Sequence, residues 1–249
     1  MALPPSTLSR PRRGGWWAWL DWCRSPIVLH QLTGQRDRNP QRGIAIGEEW
    51  LGKHAGTGSI YRHLSLLYDD IKRPSEALVV AQQGFALHPN DRKLGACLAN
   101  YLAKVEGAAS ALRFAESHEK WFLDDPYCQN TLADGLSSGG AYQESAKIFE
   151  SLFRREPTNS KFLGSLLDAW FHLDRYAEVL AEVERWQEKH PINGQLANEA
   201  GRACLDLERG EEGLKWIRRA MELTPTNPKY ADNYAVALGR AGRHEEGIR

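Results

Sequence analysis

Few residues in this chain have the type and spacing that chemistry needs. The best-placed run is Gly47-Glu48-Glu49-Trp50-Leu51-Gly52-Lys53-His54, one residue away from the phosphate-binding loop G-x-x-x-x-G-K-[ST], whose last hydroxyl holds magnesium. His54 replaces that hydroxyl, two glutamates stand where phosphate would sit, and no strand–loop–helix context surrounds the run. It reads as part of an imperfect helix. The eight histidines are dispersed. None forms H-E-x-x-H, and His118-Glu119 lacks the second histidine of a zinc site. Asp69-Asp70 and Asp124-Asp125 have no second catalytic group beside them and read as helix-end or capping residues. Cys23, Cys97, Cys128 and Cys204 form no C-x-x-C pair, and no G-x-S-x-G elbow occurs. The chain reads as a non-enzyme, with no catalytic, cofactor-binding or metal-binding set expected.

Composition turns attention to binding. The 32 basic and 32 acidic side chains cancel, which leaves no global pull toward nucleic acid or anionic membrane. Residues 1–58 hold eight basic and four acidic side chains, so a mildly basic N-terminal segment precedes a mildly acidic body. Four scattered cysteines suit reduced thiols in a reducing, cytoplasmic compartment. The stretch Trp16-Trp17-Ala18-Trp19-Leu20 is far short of the roughly 18 apolar residues that span a bilayer. Arg10, Arg12 and Arg13 before it look like a signal-peptide n-region, but no small-residue cleavage site follows. Trp16, Trp17, Trp19 and Trp22 are expected to form a short helix packed on the first hairpin, with membrane contact as the alternative. Residues 1–15, rich in Pro, Arg, Ser and Gly, are expected to be disordered.

The elements that would position any site are set by a repeat. His88-Pro89-Asn90-Asp91, Glu156-Pro157-Thr158-Asn159, His190-Pro191-Ile192-Asn193 and Thr224-Pro225-Thr226-Asn227 place prolines at 89, 157, 191 and 225. Two gaps are 34 residues and one is twice that; the missing member falls at Leu123, with Asp124-Asp125-Pro126 just beyond. Each proline ends a helix, lacking a donor and crowding the preceding turn, and the Asn or Asp beyond it can cap the next helix. Apolar residues recur at helical spacing between these points, and strand signals are nearly absent.

With the prolines at position 32, the sequence resembles the tetratricopeptide repeat family, a 34-residue unit of two antiparallel helices, A and B. The family's large residue at position 4 and small residues at 8, 20 and 27 map in the first repeat onto Tyr61, Ser65, Ala77 and Gly84, with Ala81 at 24. Ala99, Ala111 and Ala115 follow in the second, Ala133, Ser145 and Phe149 in the third, and Gly201, Gly213, Ile217 and Ala220 in the fifth. The fourth departs from the pattern with Leu167 at position 8. The implied fold is an all-α, right-handed superhelical solenoid of antiparallel helix hairpins. The array covers 58–249, as repeats 58–91, 92–125, 126–159, 160–193 and 194–227 and a partial 228–249. Residues 24–57, with Gly43, Gly47 and Trp50, form a degenerate repeat or helical cap, and 1–23 a basic, Trp-rich segment.

The resemblance also implies a groove lined by helix A positions 2, 5, 6, 9, 12 and 13. Those positions carry Arg62, His63, Leu66, Asp69 and Asp70, then Lys93, Asn100 and Lys104. Tyr127, Asn130, Thr131 and Asp134 follow, then Lys161, Ser165, Asp168 and His172. The last are Gln195, Asn198, Glu199 and Arg202, with Lys229, Asp232 and Asn233 in the partial repeat. This polar, mixed-sign surface suits an extended peptide backbone. The family's carboxylate clamp is broken: Ala96 stands for its Lys, Thr131 for its second Asn and Ser165 for its Arg. The asparagine ladder of sugar-transferase repeats is absent as well. The expected function is a scaffold binding a peptide or protein segment, with no nucleic acid. Two rivals stand beside it: the N-terminal repeat region of a larger enzyme such as a transferase, suggested by the abrupt end inside the sixth repeat, and a membrane-associated assembly factor.

Overall fold

The Asp and Asn residues that follow the prolines act as the spacing requires. In the computed structural model, which describes residues 16–36, 38–54 and 56–243 and side chains from residue 26 onward, Asp91, Asp125, Asn159, Asn193 and Asn227 recur every 34 residues. Each accepts a hydrogen bond from a first-turn backbone N–H of the helix that follows, satisfying donors the helix itself leaves open. The expectations for residues 1–15, for the tryptophan side chains near the N-terminus, for Cys23 and for the second helix of the partial repeat lie outside the described residues.

Fourteen helices and no strand are found among the described residues. They run α1 (Trp16–Gln35), α2 (Pro40–Lys53), α3 (Gly58–Asp70), α4 (Pro74–Leu87), α5 (Arg92–Val105), α6 (Ala108–Ser117), α7 (Glu119–Asp124) and α8 (Pro126–Ser138). Then come α9 (Tyr142–Arg155), α10 (Ser160–Phe171), α11 (Tyr176–Gln187), α12 (Gly194–Asp206), α13 (Gly210–Leu223) and α14 (Pro228–Arg240). The all-α repeat fold expected from the sequence is the observed one. The chain divides into two compact units, Met1–Gly140 and Ala141–Arg249, with the division at the turn between the two helices of the repeat 126–159.

In the first unit, α1 pairs with α2 and both meet α3. The boundary expected at residue 23 falls inside α1, which runs through Pro26. Val28 and Leu32 of α1, Ile44 of α2, and Leu64 and Leu67 of α3 are buried, so residues 24–57 pack as a hairpin on the first full repeat. The phosphate-loop-like run 47–54 lies in and just beyond α2. Gly47 sits against Leu64 and Leu32, Glu48 accepts the Tyr68 hydroxyl hydrogen, and Lys53 pairs with Glu49 at 2.6 Å. Helix B of the second repeat, where Leu123 replaces the proline, breaks earlier than the register suggests. α6 stops at Ser117, His118 stacks on Phe114 with ring centres 4.4 Å apart, and α7 follows. Helices α5 and α8 approach so closely that a Cβ on Gly135 would lie 2.6 Å from Asn100 Cα.

In the second unit, Leu163, Leu167, Val179, Val183, Leu196, Ala200 and Cys204 form one core across α10, α11 and α12. Gly201 and Gly213 face each other across α12 and α13: a Cβ on Gly201 would meet Ile217 Cγ1 at 2.4 Å, and one on Gly213 would meet Gly201 O at 3.0 Å. Leu167, the large residue at position 8 of the fourth repeat, is itself fully buried in the core. Five A-to-B turns among the described residues close with a backbone N–H reaching back five residues: Arg73 to Tyr68, Gly107 to Leu102, Arg175 to Trp170, Arg209 to Cys204 and Arg243 to Leu238. In four of them the residue before the donor is left-handed: Gly242 at φ 72°, and Lys72, Asp174 and Glu208, which adopt φ of 58–62° without being glycine.

Candidate interaction surface

The helix A residues named by register fall on two faces, one in each unit. On the first unit's face, α3 contributes Arg62, His63, Leu66, Asp69 and Asp70. Helix α5 contributes Lys93, Asn100 and Lys104, and α8 contributes Tyr127, Asn130, Thr131 and Asp134. Much of this polar set is occupied by bonds between neighbouring repeats. Arg36, just beyond α1, grips Asp70 with two bonds, at 2.7 and 3.1 Å. Lys104 reaches Asp69 at 2.7 Å and lies 5.5 Å above the Tyr101 ring. The Asn100 amide donates to Thr131 O at 2.9 Å. Asn130 donates to Asp134 at 2.8 Å, while its own Oδ1 is buried with no donor, which costs about 1–3 kcal/mol.

Toward the helix N-termini the same face is less occupied. Tyr127 is 40% exposed, with Lys93 Nζ 5.9 Å from its ring centre. Burial pushes the Cys97 thiol beneath them up to about 11, opposed in part by the nearby Arg62. Burial also lowers the His63 imidazole from its ordinary value, so that ring is neutral at pH 7 and adds no charge.

The second unit's face is more tightly cross-linked. Arg202 of α12 bonds Asp168 of α10 at 2.9 Å and Glu199 of its own helix at 2.5 Å, and its guanidinium sits 3.7 Å from the Phe171 ring centre. Asn198 donates to Glu199 at 3.2 Å and accepts from Asn233 of α14 at 2.7 Å. Asn198 and Glu199 are 1% and 2% exposed. The sequence register presents both to a ligand; the structure buries them instead as a bridge between α12 and α14. Burial raises the Glu199 pKa, with Arg202 acting against it. His172 stacks on Tyr142 at 4.3 Å, and Arg240 bonds Asp206 at 2.7 Å. Lys161, Lys229 and Asp232 remain exposed.

The sequence register did not foresee how these helix A side chains bond one another. Arg36–Asp70, Asp69–Lys104, Asp168–Arg202 and Asp206–Arg240 join residues 34 or 35 apart. The readable signal is a pair of opposite charges one repeat apart. Arg36 also sits where the register of 24–57 puts position 13, opposite position 13 of the first repeat. Among the described residues no cluster of His, Cys, Asp and Glu could hold a metal ion, and no helix is long and apolar enough to cross a membrane.

Fold and surface together define an all-α array of helical hairpins in which, within each unit, side chains tie A helices of neighbouring repeats. The chain belongs to the tetratricopeptide repeat family, whose model matches residues 44–249. It is similar in structure to a tetratricopeptide repeat protein from Parabacteroides merdae, with a TM-score of 0.69 at 15% identity over 86% of this chain and 84% of that one. MamA from Desulfovibrio magneticus overlays with a TM-score of 0.45 at 18% identity, covering 77% of this chain and 89% of its own. No curated protein matches the chain. Repeats of this family generally mediate protein–protein interaction, and the fold is typically non-catalytic.

Proposed function

We propose that this chain is a protein-interaction scaffold that holds a peptide or an extended protein segment on the helix A face of its repeats. The observation that carries the reading is Tyr127. It is a large aromatic side chain left 40% exposed, and it is flanked by Asn130 and Thr131 on the same helix. An exposed aromatic ringed by polar groups is the arrangement that anchors interfaces, because its burial supplies area at little entropic cost while the neighbours fix orientation. The zero net charge argues against nucleic acid as the ligand. Cys97, Cys128 and Cys204 are buried and unbridged, which fits work in a reducing, cytoplasmic compartment.

The test is site-specific photo-crosslinking in cells. A benzophenone side chain at position 127 should capture a protein, and the same group at exposed Val79 on α4 should not. Capture from position 79 alone would move the binding surface to the B helices and overturn the reading.

A further inference from the structure

The first unit's face is electrostatically lopsided, and the asymmetry points to the chemistry of its ligand. Toward the C-terminal ends of α3 and α5, the charges neutralise one another: Asp70 with Arg36 and Asp69 with Lys104. Toward the N-terminal ends, Arg62 and Lys93 make no ion pair or side-chain hydrogen bond among the described residues, and Lys93 stands beside the exposed Tyr127. The carboxylates at that end are Asp91 and Asp125, and each already accepts a backbone N–H as a helix cap. The second unit repeats the pattern within itself. Asp168 and Asp206 pair with Arg202 and Arg240, while Lys161 and Lys229, at the repeat position of Lys93, are exposed and form no ion pair among the described residues.

A cation left without a partner beside an exposed aromatic ring favours an arriving carboxylate. The peptide supplies the counter-ion that the fold withholds. We infer that the segment held on the first unit's face is acidic, with side-chain carboxylates placed on Arg62 and Lys93 and an apolar group against Tyr127. This rests on the scaffold reading above and narrows it to one class of partner.

The experiment selects ligands from a random twelve-residue peptide library with the full chain, scores the net charge of the enriched peptides, and measures their affinity by fluorescence polarisation. It uses the parent and the Arg62→Glu/Lys93→Glu variant, whose unaltered melting curve serves as the folding control. Acidic enrichment, with affinity falling at least about tenfold in the variant and in raised salt, supports the inference. Enrichment of neutral or basic peptides, or acidic peptides that bind the variant as well as the parent, overturns it while leaving the scaffold reading in place. If no peptide of any charge binds the parent, both fall.

Discussion

Arg202→Met removes the charge that links α10 to α12 while keeping an apolar stem of similar reach over Phe171. The Glu199 side chain is 3% exposed and that of Arg202 15%, so the variant leaves a buried carboxylate without its ion-pair partner, with only the weaker attraction of Lys229 remaining. Removing one partner of a buried pair costs about 3–5 kcal/mol. Asp168 is 30% exposed, so its loss adds less than about 1 kcal/mol. Asn198 still donates to Glu199, which puts the expected loss near the lower end, about 3 kcal/mol.

The pH dependence has a definite sign. Burial already raises the Glu199 pKa with Arg202 present, and losing the cation raises it further. A group whose folded pKa lies above its unfolded value stabilises the fold when protonated, and that contribution is lost as pH rises through the folded pKa. The variant's deficit should therefore be large at pH 7.5 and smaller at pH 5. Urea unfolding followed by the fluorescence of Trp186 and Trp216, both packed in the second unit, reads this directly. A deficit below about 0.5 kcal/mol at pH 7.5, or one that grows on acidification, would refute the reasoning. Adding Glu199→Gln to Arg202→Met should recover much of the loss, because the buried charge goes with its partner.

Further expectations follow from the packing. Gly135→Ala should cost at least about 1–3 kcal/mol, because its Cβ would meet the Asn100 backbone at 2.6–2.7 Å and backbone cannot rotate away; an unchanged melt would count against the α5–α8 approach. Glu208→Gly should stabilise by up to about 1 kcal/mol by relieving a left-handed backbone at φ 60°, and Tm would fall if that turn were strain-free. Asn159→Ala should lose about 1 kcal/mol with the α10 cap. Burial lifts the thiols of Cys97, Cys128 and Cys204 to about 11, 12 and 12, so these three thiols should resist iodoacetamide in native protein at pH 7.5 until it is unfolded; rapid native labelling at any of the three, located by peptide mass spectrometry, would contradict that burial.

The fold was legible because its punctuation is local. Prolines and Asx caps act within one turn, so Pro157 with Asn159, or Pro191 with Asn193, announces a helix boundary regardless of what packs nearby. Features that depend on a neighbouring repeat were harder to read. Nothing local marks Lys72, Asp174 or Glu208 as left-handed, since the hairpin imposes a conformation their side chains disfavour. Nothing local breaks helix B at His118 either; the aromatic cluster of Phe85, Phe114, His118 and Trp121 holds that bend. On the candidate surface, register alone could say which residues share a face but not which bond each other. Asn198 and Asn100 looked like ligand donors because their bonds run to Asn233 and Thr131, more than 30 residues away.

The central claim, that the helix A face is the binding face, is tested most directly by hydroxyl-radical footprinting of the first unit with and without a selected peptide. Tyr127, Leu87 and Leu123 are 40%, 50% and 59% exposed, so all three start labelled, and they lie on α8, α4 and α7. The account predicts that bound peptide protects Tyr127 and leaves Leu87 and Leu123 labelled as before. Protection of Leu87 or Leu123 with Tyr127 unchanged would contradict it.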